Sequence, residues 1–325
     1  MRGRSASGRT SRHPARTAAV DLTTRVGPLE LPNPIVAASG TFGYGEELAR
    51  LCPPSALGAV TVKSLAPFAW DGNPAPRLHM TAAGMINAVG LQGPGIEHWV
   101  AHELPRLHAT GARVIASIWG RSVDDYARAA EMLQPAHGRI VAVEVNASCP
   151  NVEDRSHMFA HSCASVEAVT RAVVAHAGGV PTFVKLSPNV TDLVSIAAAT
   201  LDAGADGLTL SNTVMGLAID AERRRPVLGN GGGGLSGPAV KPVALRAVHD
   251  VTQAFPGVAV IGTGGVSTGV DAVEMLLAGA SAVGVGTATF LDPRATLRVL
   301  DELTDWCADH GVTRVADLVG GLEER

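Results

Sequence analysis

Lysine is nearly absent from this 325-residue chain: of 26 basic residues only Lys63, Lys185 and Lys241 are lysines. Where each one falls therefore carries information. Cysteine is also scarce: Cys52, Cys149, Cys163 and Cys307 are the full set, and no C-x-x-C spacing occurs. That pattern argues against a disulfide scaffold, a zinc finger and an iron–sulfur cluster held by this chain alone. It suits a reducing cytosol, so a cytoplasmic location is expected. Basic charge is not in excess: the net charge is -4, which argues against a nucleic-acid partner. Long apolar runs are missing too. Residues 251–270 carry no charge, but they contain Pro256 and five glycines and read as loop, strand and loop rather than as a membrane span. No apolar signal segment follows the start, so no membrane partner is expected.

What remains is an ordinary globular composition, 46% hydrophobic and 17% charged. Residues 1–18 stand apart, with Arg2, Arg4, Arg9, Arg12 and Arg16 and no acid before Asp21. They read as a disordered basic tail, without the amphipathic periodicity of a transit peptide. Residues 19–325 read as one domain. In it, short apolar runs recur at residues 34–38, 59–63, 113–118, 141–145, 181–186, 207–210, 258–261 and 282–285. They lack the alternation of half-wet strands, so they fit parallel strands covered on both faces. Helical spacing of apolar residues marks 123–133, 165–176, 192–203, 242–254, 268–278 and 293–310. Ser165 and Thr191 are the expected N-caps, and Gly178, Gly204 and Gly279 the expected helix ends. Eightfold strand–helix alternation predicts a (β/α)8 barrel of the TIM type, with short insertions over the carboxyl ends of the strands.

Chemistry in such a barrel sits at those carboxyl ends. Here they read Ser39-Gly40-Thr41, Lys63-Ser64, Asn146-Ala147-Ser148-Cys149-Pro150-Asn151, Lys185-Leu186-Ser187 and Ser211-Asn212-Thr213. Two of the three lysines thus fall at strand ends. Gly264-Gly265 and Gly286-Thr287, after the last two strands, offer backbone N–H groups suited to a phosphate. Cys149 is the best candidate for a reactive group. An unperturbed thiol is mostly protonated at neutral pH, so base work needs cations such as Lys63 or Lys185 nearby. Three patterns are decoys. Gly229-x-Gly231-x-x-Gly234 follows no clear strand and does not read as a dinucleotide fingerprint. His157, His161 and Cys163 have ligand-like spacing without a metal motif, so no metal is expected. The acids of 301–305 read as a solvated helix face.

Six stretches, taken in order, resemble class 1 dihydroorotate dehydrogenases. They are Ala38-Ser39-Gly40-Thr41-Phe42-Gly43, Asn87-Ala88-Val89-Gly90-Leu91, Asn146 to Asn151, Lys185-Leu186-Ser187-Pro188-Asn189-Val190, Asn212-Thr213 and Gly264-Gly265. The resemblance spans residues 25–300, and the segment from Met85 to Gly93 is most similar to subclass 1B, the catalytic subunit of the NAD-linked enzyme.

The resemblance implies an FMN-binding barrel that oxidises dihydroorotate to orotate in pyrimidine biosynthesis. It implies that Cys149 removes the C5 proton while hydride passes from C6 to flavin N5. Cysteine here, where class 2 relatives use serine, places the chain with class 1. Substrate contacts are implied for Lys63, Asn87, Ala88, Val89, Gly90, Leu91, Asn146, Asn151, Asn212 and Thr213. Cofactor contacts are implied for Ser39, Lys63, Ser64, Asn146, Lys185, Ser211, Gly237, Gly264, Gly265, Gly286 and Thr287, with Lys185 near the N1/O2 edge of the ring. The physics agrees, because a planar anion rich in amides needs a cation and several carboxamides to pair its buried polar atoms. A partner subunit carrying FAD and a [2Fe–2S] cluster is implied for subclass 1B, and the chain is expected to form a homodimer or, with that partner, a heterotetramer. One departure is Ser117, where the family often has Asn. At that position, and over residues 185–196, the chain also resembles dihydropyrimidine dehydrogenases, which share barrel, FMN and cysteine but act on uracil-type rings. The clustered cysteines and added domains of those enzymes are absent. A non-catalytic flavin subunit is a further alternative.

Overall fold

The fold is seen in a computed structural model that describes residues 19–147 and 159–323. Eight parallel strands close into a barrel in sequence order: β1 (Ile35–Ala37), β2 (Ala59–Thr61), β3 (Val114–Ile118), β4 (Ala142–Asn146), β5 (Thr182–Lys185), β6 (Gly207–Leu210), β7 (Val260–Thr263) and β8 (Ala282–Val285). Each lies within or overlaps one of the apolar runs read from the sequence. Around them run α1 (Ile96–Ala109), α2 (Val123–Met132), α3 (Cys163–His176), α4 (Leu193–Asp202), α5 (Lys241–Ala254), α6 (Gly269–Leu277), α7 (Ala288–Leu291) and α8 (Ala295–Asp309).

Alternation along each strand divides two apolar regions. Val114, Ala116, Val143, Val145, Val184, Leu208, Val260 and Val283 point outward into the layer shared with the helices. Val36, Ala59, Ile115, Ala142, Phe183, Ile261 and Ala282 fill the lower interior. Val26, Leu29 and Leu31 join that inner cluster, so the antiparallel hairpin Thr24–Val26/Leu29–Leu31 plugs the barrel floor.

Three expectations need correction. Strand and helix do not alternate at every step, because the β1–β2 connection has only a 3-10 turn, Pro54–Ala56. Phe42, Cys52 and Leu57 pack on Ala37 and Val60 and cover the barrel where a helix was expected. Helix α1 was not expected, since Pro105 lies inside it and removes a backbone donor. Burial of Ile96, Trp99, Leu104 and Leu107 holds that helix in place. The caps also move: Ser162 accepts from Ser165 N (3.5 Å) and Asp192 from Ser195 N (2.9 Å), in place of Ser165 and Thr191. Gly178 and Gly204 do follow helix ends with left-handed φ of 59° and 98°.

The insertions over the carboxyl ends form a four-stranded antiparallel sheet. In order its strands are Val214–Gly216, Gly233–Ser236, Gly84–Asn87 and Leu78–Thr81, from the β6–β7 and β2–β3 connections. The glycine run around 229–234 thus feeds a sheet strand, not a nucleotide-binding turn. Among the described residues no helix is long and apolar enough to cross a membrane.

Candidate active site

Two residues above the apolar floor the interior turns polar. Ser117, Glu144 and Lys185 follow Ile115, Ala142 and Phe183 at the inward spacing, and Thr209, Ser211 and Thr263 continue the change on β6 and β7. All six are buried. Asn146, at the end of β4, pairs in register with Lys185 on β5, and Lys185 pairs with Thr209 on β6. Lys63 continues the row of β2 above Thr61 and is half-buried, its N–H bonded to Gly43 O at 3.0 Å.

A buried chain of hydrogen bonds joins three strand ends. Asn146 Nδ2 donates to Ser64 Oγ at 2.9 Å, and Ser64 Oγ lies 2.9 Å from Ser117 Oγ. Tyr126 of α2 donates its hydroxyl to Asn146 O at 2.8 Å. Ser117, the departure noted in the sequence, therefore orients Ser64 beneath the mouth. Ser39 donates to Val62 O at 2.9 Å, which ties the end of β1 to β2. Asn212 Oδ1 accepts from Thr213 N (2.8 Å), and Ser211 donates to Asn212 O (3.2 Å).

The upper sheet brings the second group of candidates to the same end. Asn87 Nδ2 donates to Gly234 O across the sheet at 3.3 Å. A Cβ on Gly234 would lie 2.0 Å from Thr213 Oγ1, so Gly234 leaves room for Thr213 at this position. The loop after Asn87 is stapled from outside: Trp70 Nε1 donates to Gly90 O (3.0 Å) and Asn73 Nδ2 to Ala88 O (3.1 Å). Asn73 N donates to Val89 O at 3.1 Å. Leu91 is held at φ 62°, a conformation that costs a non-glycine residue about 1–2 kcal/mol. The Arg121 guanidinium, just past β3, stacks 4.1 Å over Trp70 and 4.7 Å over Phe68.

The glycine turns gather as well. Gly264 and Gly265 have φ 133° and 79°, and a Cβ on either would come within 2.7 Å of Ala244 or Lys241. A Cβ on Gly237 would approach Thr287 Cγ2 at 3.6 Å, and one on Gly286 would approach Ala38 and Thr41 at 3.6 and 3.7 Å. Lys241 is committed elsewhere, with Nζ 2.6 Å from both Asp271 and Glu274. Burial pulls the Lys241 ammonium down, but its bonds to Asp271 and Glu274 prevail and raise it. Cys149 and Asn151 lie outside the described residues, as does His157. Among the described residues no three His, Cys, Asp or Glu side chains are placed to hold a metal.

Several participants carried no motif in the sequence. Trp70, Asn73, Arg121 and Tyr126 lie in segments without family-like spacing. Asn189 lies inside a quoted motif, yet its role is structural. It donates to Ser187 Oγ and Thr213 O at 2.9 Å and accepts from Met215 N at 2.8 Å.

A closed parallel barrel whose carboxyl-end mouth gathers lysine, carboxamide and hydroxyl side chains with glycine turns defines a barrel enzyme. The comparisons narrow this class. The family model described as dihydroorotate dehydrogenase matches residues 21–306. The chain is 46% identical over 303 residues to the "Dihydroorotate dehydrogenase B (NAD(+)), catalytic subunit" of Geobacter sulfurreducens, covering 93% of this chain and 98% of the relative. Proteins of the same name from Alkaliphilus oremlandii and Bacteroides fragilis are each 44% identical, over 93% of this chain and 99% of theirs. The chain belongs to the dihydroorotate dehydrogenase family, a family of flavin-dependent oxidoreductases.

The residues present fit a flavin. Gly264 and Gly265 bring backbone against the start of α5 in a way that a side chain would block. Lys185 supplies a cation at the mouth that no described side chain pairs by hydrogen bond or ion pair. Such a cation is suited to the negative charge that a flavin gains on reduction.

Proposed function

We propose that this chain oxidises (S)-dihydroorotate to orotate in pyrimidine biosynthesis, with FMN held at the barrel mouth. The observation that carries the reading is the convergence of Lys63, Ser64, Asn146, Lys185, Ser211 and Asn212 at one end of the barrel. It stands in a chain 46% identical to a relative named for that activity. When bound, FMN supplies the acceptor for the hydride that leaves C6. Cys149 accepts the C5 proton, and the ring closes its C5=C6 double bond as proton and hydride depart. Cations at the mouth favour the thiolate that this base needs.

Lys63 meets the substrate carboxylate. Asn87, Asn146, Asn151, Asn212 and Thr213 pair its amide edges, with the loop from Ala88 to Leu91 closing over them. Ser39, Lys63, Ser64, Asn146, Lys185 and Ser211 would hold the flavin ring, and Gly237, Gly264, Gly265, Gly286 and Thr287 its phosphate. The word "subunit" in the relatives' names supports a partner. That partner carries FAD and a [2Fe–2S] cluster and takes the electrons to NAD+; this chain is a cytoplasmic homodimer by itself and a heterotetramer with the partner.

The uracil-type reading is not favoured, because the relatives cited are named for dihydroorotate. Ser117 also has an internal role with Ser64 that requires no change of substrate. The test is anaerobic mixing of the yellow protein with dihydroorotate and, separately, dihydrouracil. Bleaching by dihydroorotate alone is expected. A flavin spectrum unchanged by dihydroorotate contradicts the proposal.

A further inference from the structure

Glu144 is a buried acid with no part in the reaction above. It sits on β4 at 2% exposure, inside the barrel. Its Oε2 accepts a hydrogen bond from Thr209 Oγ1 at 2.9 Å, while its Oε1 is buried and has no hydrogen-bond partner among the described residues. Thr209 belongs to β6, so the carboxylate crosses the intervening strand β5. The inward residues of β5 at that height are Phe183, in register with Glu144, and Lys185, in register with Thr209. The carboxylate therefore lies above the Phe183 ring and below the root of Lys185. Lys185 is itself 8% exposed and makes no direct ion pair with Glu144. A buried charge is costly unless something of opposite sign is near. Of the described side chains bonded to Glu144 or beside it in the strand register, Ser117, Thr209 and Phe183 are neutral and Lys185 is a cation.

We propose that Glu144 is a positioning residue, a fixed countercharge beneath Lys185 that lowers the reduction potential of the flavin. The inference rests on the flavin reading of this mouth. Lys185 alone stabilises added electrons on the ring. A carboxylate behind it would offset part of that field in a medium of low dielectric, which would lower the reduction potential of a bound flavin. The bond from Thr209 fixes the position of the carboxylate.

The test compares flavin midpoint potentials in the purified holoprotein, its Glu144→Gln variant and its Glu144→Asp variant. Gln keeps the shape and removes the charge. Asp keeps the charge and withdraws it toward β4. The expected order is parent lowest, Asp intermediate and Gln most positive, with flavin content retained. Equal potentials in all three would overturn the proposal and leave Glu144 as packing, in which case Asp would lower the melting temperature more than Gln. If Glu144→Gln does not fold, the Asp variant decides alone: a positive shift supports the proposal and an unchanged potential overturns it. A parent protein without flavin would overturn the reading of the site itself. Bound flavin with unmoved potentials would overturn only the role of Glu144.

Discussion

Ser64 is the side chain on which the mouth turns. It lies 3% exposed between the Asn146 carboxamide and Ser117, so removing its hydroxyl takes a hydrogen bond from each. Ser64→Ala should cost about 1–3 kcal/mol in stability, read by thermal or urea melting. It should also release Asn146 and weaken orotate binding by about tenfold, roughly 1.4 kcal/mol, read by titrating the flavin absorbance with orotate. Unchanged orotate affinity would show that Asn146 does not depend on Ser64. At this scale the sequence revealed chemistry better than geometry. The strand-end motifs named Lys63, Asn146, Lys185 and Asn212, because unusual residues at strand ends are visible in one dimension. The Ser64–Ser117 bond spans 53 positions and was not visible. Nor was the staple from Trp70 to Gly90, since a loop-to-loop hydrogen bond leaves no periodicity.

Helix α6 shows how the elements below the site are anchored. Thr268 and Asp271 form a capping box, and Asp271 also accepts from Lys241 at 2.6 Å and from Ser267 N at 2.9 Å. Burial pushes the Asp271 carboxyl up, yet these donors prevail and hold it below its ordinary 3.8. Its stabilising contribution is thus fully present above that value and is lost as pH falls through the depressed one. Asp271→Asn should cost about 1–3 kcal/mol at neutral pH. It should also flatten the loss of melting temperature that the parent shows below about pH 4. A variant as acid-sensitive as the parent would contradict this. Gly265→Ala tests the neighbouring turn: its Cβ would meet Lys241 N at 2.7 Å at φ 79°, so lower thermal stability and lower flavin content are expected together. At this scale all eight strands were legible, because buried parallel strands are continuous apolar runs. Helix α1 was hidden by Pro105, and the helix-free β1–β2 link is covered by Phe42, Cys52 and Leu57, residues without any period.

The whole molecule is a barrel with an apolar plug at one end and a polar mouth at the other. That gradient follows from inward positions that change from Ile115, Ala142 and Phe183 to Ser117, Glu144 and Lys185 two residues later. A chain with no iron–sulfur motif of its own should reduce a soluble dye with dihydroorotate but not NAD+ until a second subunit is added. Direct NAD+ reduction by the isolated chain would remove the need for that subunit. The central claim is that the mouth grips the reactant while one thiol removes its proton. Anaerobic stopped-flow bleaching of the flavin by dihydroorotate, in the parent and in Cys149→Ala, measures this directly. The account predicts that the variant stays yellow, still binds orotate, and bleaches about 100- to 10,000-fold more slowly. Bleaching at the parent rate in Cys149→Ala would contradict it.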